Sequence, residues 1–156
     1  MIAVCAWISV PFAVPFTMQT FGIFCTLFIL GGKKGTIAVA VYILLGAVGF
    51  PVFSGFTGGI GRIFDATGGF IWGFLLCAGA YWIVEAHTRK KTVRIVAMMS
   101  GLIGCYAVGI IWYAIVYAKA DAMAVISASM LPFALLDLLK LFAAYGVSNA
   151  VKRIGK

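Results

Sequence analysis

The feature that most constrains this chain is a series of long apolar runs separated by short polar connections. Of its 156 residues, 64% are hydrophobic and 10% are charged, so the chain lacks the polar side chains that would cover a soluble domain. A helix that spans a bilayer takes roughly 20 apolar residues, which leaves room for six spans and short connections. The sequence therefore predicts an all-α membrane protein with six transmembrane helices, a single integral membrane domain over residues 1–156.

The six apolar runs have edges that can be located. The first ends at Val10-Pro11, and the others cover about residues 16–30, 36–50, 70–86, 93–118 and the stretch that follows Pro132. Prolines stand at positions 11, 15, 51 and 132, where a missing backbone N–H is tolerated because a helix begins or ends there. The second and third runs are short for a simple span.

The basic residues predict the orientation of the chain. Nine of the twelve Lys and Arg residues follow the second, fourth and sixth runs: Lys33, Lys34, Arg89, Lys90, Lys91, Arg94, Lys152, Arg153 and Lys156. By the positive-inside rule these segments are cytoplasmic, and so are both termini. The net charge of +8 is then explained by topology and by anionic membrane lipid, so no nucleic-acid partner is expected.

Patterns that would support catalysis or a cofactor are missing from the sequence. The four cysteines are scattered without a C-x-x-C pair, and there is no phosphate-binding G-x-x-x-x-G-K-[ST] loop. The single histidine, His87, adjoins a basic loop, and no nucleophile-base pair is evident. We therefore expect no catalytic residues, no metal ligands and no cofactor. Glu85 is expected to face headgroups or to pair with Arg89, four residues on.

One pair of charges interrupts the last apolar run. Asp137 and Lys140 stand three residues apart in a helix-forming stretch over residues 130–151, so they share a helix face. Each costs roughly 2.5 to 3.5 kcal/mol near the centre of a membrane helix, which makes the pair a candidate functional site. The alternative is a self-neutralising pair near a helix end, with Lys140 extending to a headgroup.

The outer connection between the third and fourth runs, residues 49–70, mixes many glycines with phenylalanines. Such a segment is too apolar for a freely solvated loop, and non-helical backbone at membrane depth is tolerated only when it is buried in protein or lines a cavity. It is expected to fold down as a lid or re-entrant plug over a ligand pocket. The alternative is a compact loop packed on the helix ends.

Several of these segments together resemble the BioY family, the biotin-capturing S subunits of energy-coupling-factor (ECF) vitamin transporters. The motifs that carry the resemblance are VPFAVPFTMQTFG at 10–22, GGKKG at 31–35, YILLGAVGFPVF at 42–53, TGGF at 67–70, and Pro132-Phe133 followed by Asp137-x-x-Lys140. The resemblance implies a six-helix S-subunit fold in the bacterial cytoplasmic membrane and an outward-facing biotin site. It also implies docking onto a coupling transmembrane subunit that works with two cytoplasmic ATPase subunits.

The chain departs from the family pattern in two places. Only residues 1–10 precede Pro11 where relatives have a full first helix, so either translation begins upstream or the first helix is shortened. Relatives also tend to have Gly-Pro-Thr where this chain has Asp65-Ala66-Thr67.

The polar groups of biotin can be assigned to particular side chains. Asp137 is expected to accept hydrogen bonds from the ureido N–H groups, and Lys140 to donate to the ureido carbonyl. Gln19 and Thr17, at the start of the second run, are expected to add neutral hydrogen bonds.

The remaining site residues are assigned to the apolar ring and the valerate. Tyr42, Phe53 and Phe56 are expected to cover the thioether ring. The carboxylate is assigned to Arg62 or to the backbone amides of Gly58 and Gly59, although Arg62 can equally pair with Asp65 in solvent.

The leading function is therefore high-affinity capture and uptake of biotin as the substrate-binding subunit of an ECF transporter. The alternatives are an S subunit for another vitamin and a solitary secondary transporter. A membrane enzyme is disfavoured. Because the sequence has no nucleotide-binding motif, concentrative uptake would require another chain or an ion gradient.

Overall fold

The protein is described from a computed structural model that covers residues 1–11, 15–116 and 131–154. Its helices are α1 (Ile2–Trp7), α2 (Gln19–Leu30), α3 (Gly32–Val48), α4 (Ile60–Phe64), α5 (Gly68–His87), α6 (Lys91–Val116) and α7 (Leu131–Ile154). A two-stranded antiparallel ribbon pairs β1 (Ser9–Val10) with β2 (Phe16–Thr17), and a 3₁₀ turn covers Ser54–Phe56.

The predicted helical character is confirmed, and among the described residues three helices are long and apolar enough to cross a membrane: α5, α6 and most of α7. The other three predicted spans and the cytoplasmic placement of the termini stay predictions. The helices α2 and α3 have 12 and 17 residues, in agreement with the short second and third runs. Residues 12–14, the predicted end of the fifth run at residue 118, residue 130 and Lys156 lie outside the described residues.

Glycine sets the boundaries of α2 and α3. Gly31 has a φ of +82° and its N–H donates to the carbonyl of Leu27, so α2 ends there and α3 begins at the next residue. Gly49 ends α3 in the left-handed conformation, with a φ of +115°. Residues with a side chain rarely adopt these angles, so both turns depend on glycine.

The short helix α2 occupies the interior of the fold. It contacts α1, α3, α5 and α7, and its residues from Gln19 to Phe28 are buried except for the half-buried Phe21. Because neighbouring helices cover α2 on nearly all sides, it has no need of a polar face. Because α2 begins in the interior, the polar side chains at its amino end are held inside the protein.

The helices α5 and α6 form a close antiparallel pair that depends on small residues. A Cβ atom on Gly73 would lie 2.8 Å from the Cα of Cys105, and one on Gly101 would lie 2.8 Å from the Sγ of Cys77. Both cysteines are free and buried, so they fill the space between helices instead of forming disulfides. Leu76, Ile103 and other large apolar side chains point away from this pair and are exposed, as expected for a surface in contact with lipid.

Glu85 joins three elements at the basic end of the protein. Its carboxylate forms an ion pair with Arg94 at 3.1 Å and accepts a hydrogen bond from the N–H of Gly32. The predicted pairing with Arg89 is wrong, because α5 ends at His87 and residue 89 no longer follows the helical spacing. Arg94, in the first turn of α6, is brought back to Glu85 by the turn between the two helices.

The outer loop between α3 and α5 packs on its neighbours. The indole N–H of Trp7 in α1 donates to the carbonyl of Pro51 at 2.8 Å, and the N–H of Gly59 donates to the carbonyl of Gly46 in α3 at 2.7 Å. These contacts match the second alternative, a compact loop on the helix ends. Movement of the loop as a lid stays a prediction.

Candidate ligand-binding site around Asp137 and Lys140

The charged pair of α7 forms a buried ion pair. The Lys140 Nζ lies 2.6 Å from the Asp137 Oδ1, as the three-residue spacing predicted. Asp137 is 4% exposed and Lys140 is 7% exposed, so the two charges do neutralise each other, but the predicted extension of the ammonium to a headgroup is wrong. Burying two charges costs desolvation free energy even when they pair. A buried ion pair in a membrane protein is therefore a candidate functional site.

Three donors from three helices converge on the Asp137 carboxylate. The Oδ1 atom accepts hydrogen bonds from the Thr20 hydroxyl in α2 at 2.9 Å and from Lys140. The Oδ2 atom accepts one from the Tyr106 hydroxyl in α6 at 2.9 Å. Neither Thr20 nor Tyr106 was predicted from the sequence to belong to the site. Helical spacing after Thr17 offered a weak signal for Thr20, whereas Tyr106 reaches the site only through tertiary packing.

Lys140 also binds the residues that lead into α2. Its ammonium donates to the backbone carbonyl of Thr17 at 2.7 Å and lies 3.8 Å from the centre of the Phe16 ring. The Phe16 ring in turn contacts Phe133 of α7, with ring centres 5.0 Å apart. The β1–β2 ribbon places Phe16 and Thr17 here, because it turns the chain back from α1 just before α2 begins. Thr17 therefore contacts the pair through its carbonyl oxygen, and its hydrogen bond to a ligand stays a prediction.

Gln19 is buried beside these residues and its side-chain amide nitrogen lacks a protein partner. It is 6% exposed, and its Nε2 is the only buried side-chain nitrogen or oxygen without a hydrogen bond among the described residues. Its backbone N–H donates to the Thr17 hydroxyl at 3.2 Å. Buried amide donors are nearly always paired, so this nitrogen is available to a ligand.

Tyr42 and Phe53 form a second group. Their rings meet edge to face at 5.6 Å, and the Tyr42 hydroxyl donates to the carbonyl of Val52 at 3.0 Å. The Phe53 ring fills the space above Gly46, where a Cβ atom would lie 2.1 Å from the ring. Within the described part of the chain, no hydrogen bond or ring contact joins this group to Asp137 or Lys140. These two residues fix the outer loop to α3.

The other predicted residues lie in the outer loop. The Phe56 ring is 63% exposed and stacks on Trp7. The N–H of Gly59 is bound to Gly46, and Gly58 packs tightly on the carbonyl of Phe50, where a Cβ atom would lie 2.2 Å away. These contacts make the two glycines structural parts of the loop.

Arg62 forms the ion pair that was considered as an alternative to ligand binding. Its Nη1 lies 2.9 Å from the Asp65 carboxylate, and its Nε donates to the Thr57 hydroxyl at 3.1 Å. A guanidinium carries five N–H groups, so three remain for another acceptor.

Comparison with known proteins adds independent evidence. The sequence profile of the BioY family matches residues 1–156. The biotin transporter BioY of Thermotoga maritima is 37% identical over 155 residues, covering 99% of this chain and 90% of that protein. The probable biotin transporter BioY of Pyrococcus horikoshii is 35% identical over 141 residues, covering 89% of this chain and 81% of that protein.

A solved structure confirms the helical S-component fold, but not the number of spans. The S-component for biotin from an ECF-type ABC transporter matches this chain with a TM-score of 0.83 at 22% identity, covering 97% of this chain and 85% of that one. At this identity the likeness shows the fold. Together with the apolar helices, the sequence matches place the chain among multi-pass membrane transport proteins rather than enzymes. The chain belongs to the BioY family.

Proposed function

We propose that this protein binds biotin as the substrate-binding subunit of an ECF-type transporter. The observation that carries the proposal is the Asp137 carboxylate, which is buried, charged and only partly occupied by protein donors. The names of its relatives, biotin transporters that cover nearly the whole chain, support biotin as the ligand.

The carboxylate has room for one ligand donor. Two carboxylate oxygens offer about four lone-pair sites, and three are taken by Thr20, Lys140 and Tyr106. Within the described part of the chain, Oδ2 accepts a hydrogen bond from the Tyr106 hydroxyl alone, so the remaining site is on this oxygen. A ureido N–H of biotin would occupy it, and a hydrogen bond to a charged acceptor away from water is among the stronger kinds.

The rest of the ligand is assigned to apolar and basic groups. Phe16 and Phe133 lie beside the ion pair and offer ring faces to the thioether ring. Tyr42, Phe53 and Phe56 belong to the same proposal as the outer cover of the site. Arg62 would receive the valerate carboxylate with the N–H groups that it does not use for Asp65 and Thr57.

The energy for uptake would come from partner proteins. The sequence holds no nucleotide-binding motif, and its basic loops are too short to form a nucleotide domain. We propose six membrane spans with cytoplasmic termini, and a coupling transmembrane subunit that packs on the cytoplasmic half of the first helices and works with two cytoplasmic ATPases. That subunit would tilt this one to release biotin inward.

Three measurements test this proposal. Calorimetry on the purified protein is expected to show saturable biotin binding, and mass spectrometry is expected to identify biotin as the co-purified ligand. In liposomes the chain alone should bind biotin without concentrating it, whereas co-reconstitution with an energising module should make accumulation ATP-dependent. ATP-independent accumulation against a gradient would instead support a solitary secondary transporter, and preferential binding of another vitamin would support an S subunit of different specificity.

A further inference from the structure

The outer loop exposes a set of large apolar side chains. Four of them, spread over residues 50–64, are more than half exposed: Phe50, Phe56, Ile60 and Phe64. The hydrogen bonds that hold the loop to α1 and α3 run through the backbone of the loop, so they leave these four side chains uncovered. So many exposed apolar side chains in so short a segment indicate that something other than water lies against it.

The short helix α4 separates its apolar side chains from its charged one. Ile60 and Phe64 are four residues apart, so they lie on one face of the helix, and both are exposed. At about 100° per residue, Arg62 lies on the opposite face. Its guanidinium binds Asp65 and Thr57. A helix with one apolar face and one charged face suits the surface of a membrane.

The apolar face of α4 continues into the lipid-facing surface of α6. The Phe64 ring lies beside the Trp112 ring, with ring centres 6.4 Å apart, and the indole N–H of Trp112 donates to the carbonyl of Asp65 at 3.0 Å. Ile111 and Ile115, close to Trp112 in α6, are both exposed. Tryptophan is enriched at the membrane–water boundary, where its ring is apolar and its N–H is polar. Trp112 therefore lies where the lipid-facing surface of α6 meets the outer loop.

We propose that the outer loop is a membrane-surface segment whose partner is phospholipid. The four exposed apolar side chains of residues 50–64 lie among the acyl chains of the leaflet opposite the basic loops, and the Arg62 side of α4 faces the aqueous phase. Lipid holds the loop from one side, as Trp7 and Gly46 hold it from the other. This proposal goes beyond the proposed function, because it does not depend on which ligand the protein binds.

The lengths of α3 and α5 support this depth. The Glu85 carboxylate, near the end of α5, accepts a hydrogen bond from Gly32 at the start of α3, so the two residues lie at one level. From there α3 extends to Val48 and α5 extends back to Gly68, about 25 Å in each case. The basic segments next to Glu85 and Gly32 belong at one boundary of the membrane. Because a hydrocarbon core is about 30 Å thick, the outer loop begins and ends at or just inside the opposite boundary.

The test measures the depth of single side chains with nitroxide spin labels. The label is attached in Ile60→Cys, Phe64→Cys and Arg62→Cys, each combined with Cys5→Ser because the other three cysteines are buried. In phosphatidylcholine vesicles, electron paramagnetic resonance compares collisions with oxygen, which concentrates in hydrocarbon, and with a water-soluble nickel chelate. The oxygen-to-nickel ratio is expected to exceed one at residues 60 and 64. It should fall below one at residue 62, the matched control on the opposite face.

Two results would overturn the proposal. A ratio below one at all three positions would place the loop in water. Exclusion of both reagents at residues 60 and 64 would show that protein, and not lipid, covers this face of α4.

A second measurement needs no variant and serves if the labelled proteins fold poorly. The wild-type protein is irradiated in vesicles of a phosphatidylcholine that carries a diazirine on its acyl chain, and the adducts are located by mass spectrometry. Adducts are expected in residues 50–64 and, as the internal control, around the exposed Ile103 of α6. Adducts on α6 without any in the loop would contradict the proposal. Failure to bind biotin would leave these readouts unaffected, so it contradicts only the proposed function.

Discussion

The hydroxyl of Tyr106 donates to the Oδ2 of Asp137 at 2.9 Å, which ties α6 to α7 at the centre of the candidate site. Oδ2 is also the oxygen with a free lone-pair site, so Tyr106 orients the atom that a ligand would use. Tyr106→Phe is expected to weaken biotin binding by about 1 kcal/mol, roughly 5-fold, because the carboxylate loses one fixed partner. Calorimetry gives the affinity. Tyr145→Phe, on α7 where its ring contacts Phe28, is the matched control and should leave binding unchanged.

Replacing Asp137 itself should have a larger effect. We expect Asp137→Asn to lower biotin affinity by at least about 2 kcal/mol while the protein still inserts and purifies, since hydrogen bonds to charged groups contribute roughly 1.5 to 3 kcal/mol. The measurement is calorimetry on the purified variant, with thermal unfolding to confirm that it is folded. Unchanged binding would remove Asp137 from the site.

Replacing Glu85 should lower the stability of the protein without changing its affinity for biotin. Glu85 lies beside Gly32, at the end of α2 opposite to Thr20, and 12 helical residues place those ends about 18 Å apart. Glu85→Gln is expected to lower stability by about 1 to 2 kcal/mol, because it removes the charged partner of Arg94. Biotin affinity should not change. A loss of affinity equal to that of Asp137→Asn would mean that binding merely follows stability.

The contact between Gly46 and Phe53 predicts a strong effect of one methyl group. Gly46→Ala would place a Cβ atom 2.1 Å from the Phe53 ring, so the ring and the outer loop must shift, at a cost of about 1 to 3 kcal/mol. Gly104→Ala is the control, because a Cβ atom there meets nothing within 4 Å and alanine favours a helix by about 1 kcal/mol. Thermal unfolding in detergent should move the two variants in opposite directions.

The outer loop should respond to ligand if it covers the site. Hydrogen exchange across residues 53–69 is expected to slow when biotin is added, because an ordered backbone opens less often. Peptides around Arg94, at the other end of α6 from Tyr106, provide the internal control and should exchange equally in both states. Identical exchange in the loop with and without saturating biotin would assign it to structure alone.

Local sequence patterns predicted the parts of the fold that depend on near neighbours. The second run was predicted to end at residue 30, where α2 ends, and Pro132 stands at the second residue of α7. The third run was predicted at 36–50, but α3 covers Gly32–Val48, because Gly31 lets a new helix begin at once and Gly49 ends it before Pro51. The Asp137–Lys140 ion pair followed from helical spacing in the same way. The predicted pair between Glu85 and Arg89 was wrong for a related reason. Residues four apart face each other only within one helix, and α5 ends at His87.

The parts of the site that depend on tertiary packing could not be predicted. Tyr106 lies 31 residues before Asp137, and no periodicity links their positions. Tyr42 and Phe53 were predicted as ligand contacts because they are aromatic and near the outer loop, yet their observed partners are each other and the loop backbone. An aromatic side chain in such a sequence is expected to pack against something apolar. Its position does not show whether its partner is a ligand or another part of the protein.

The burial of α2 on all sides constrains how the protein is made. At 12 residues it extends about 18 Å, too short to cross a hydrocarbon core of about 30 Å unaided. Its lasting contacts include α7, which the ribosome produces last among the described helices. In the nascent chain, α2 must therefore remain without its contacts to α7 until α7 has been synthesised. The contact between Thr20 and Asp137 can form only after α7 has been made, so a chain that stalls before α7 leaves its second helix without that partner.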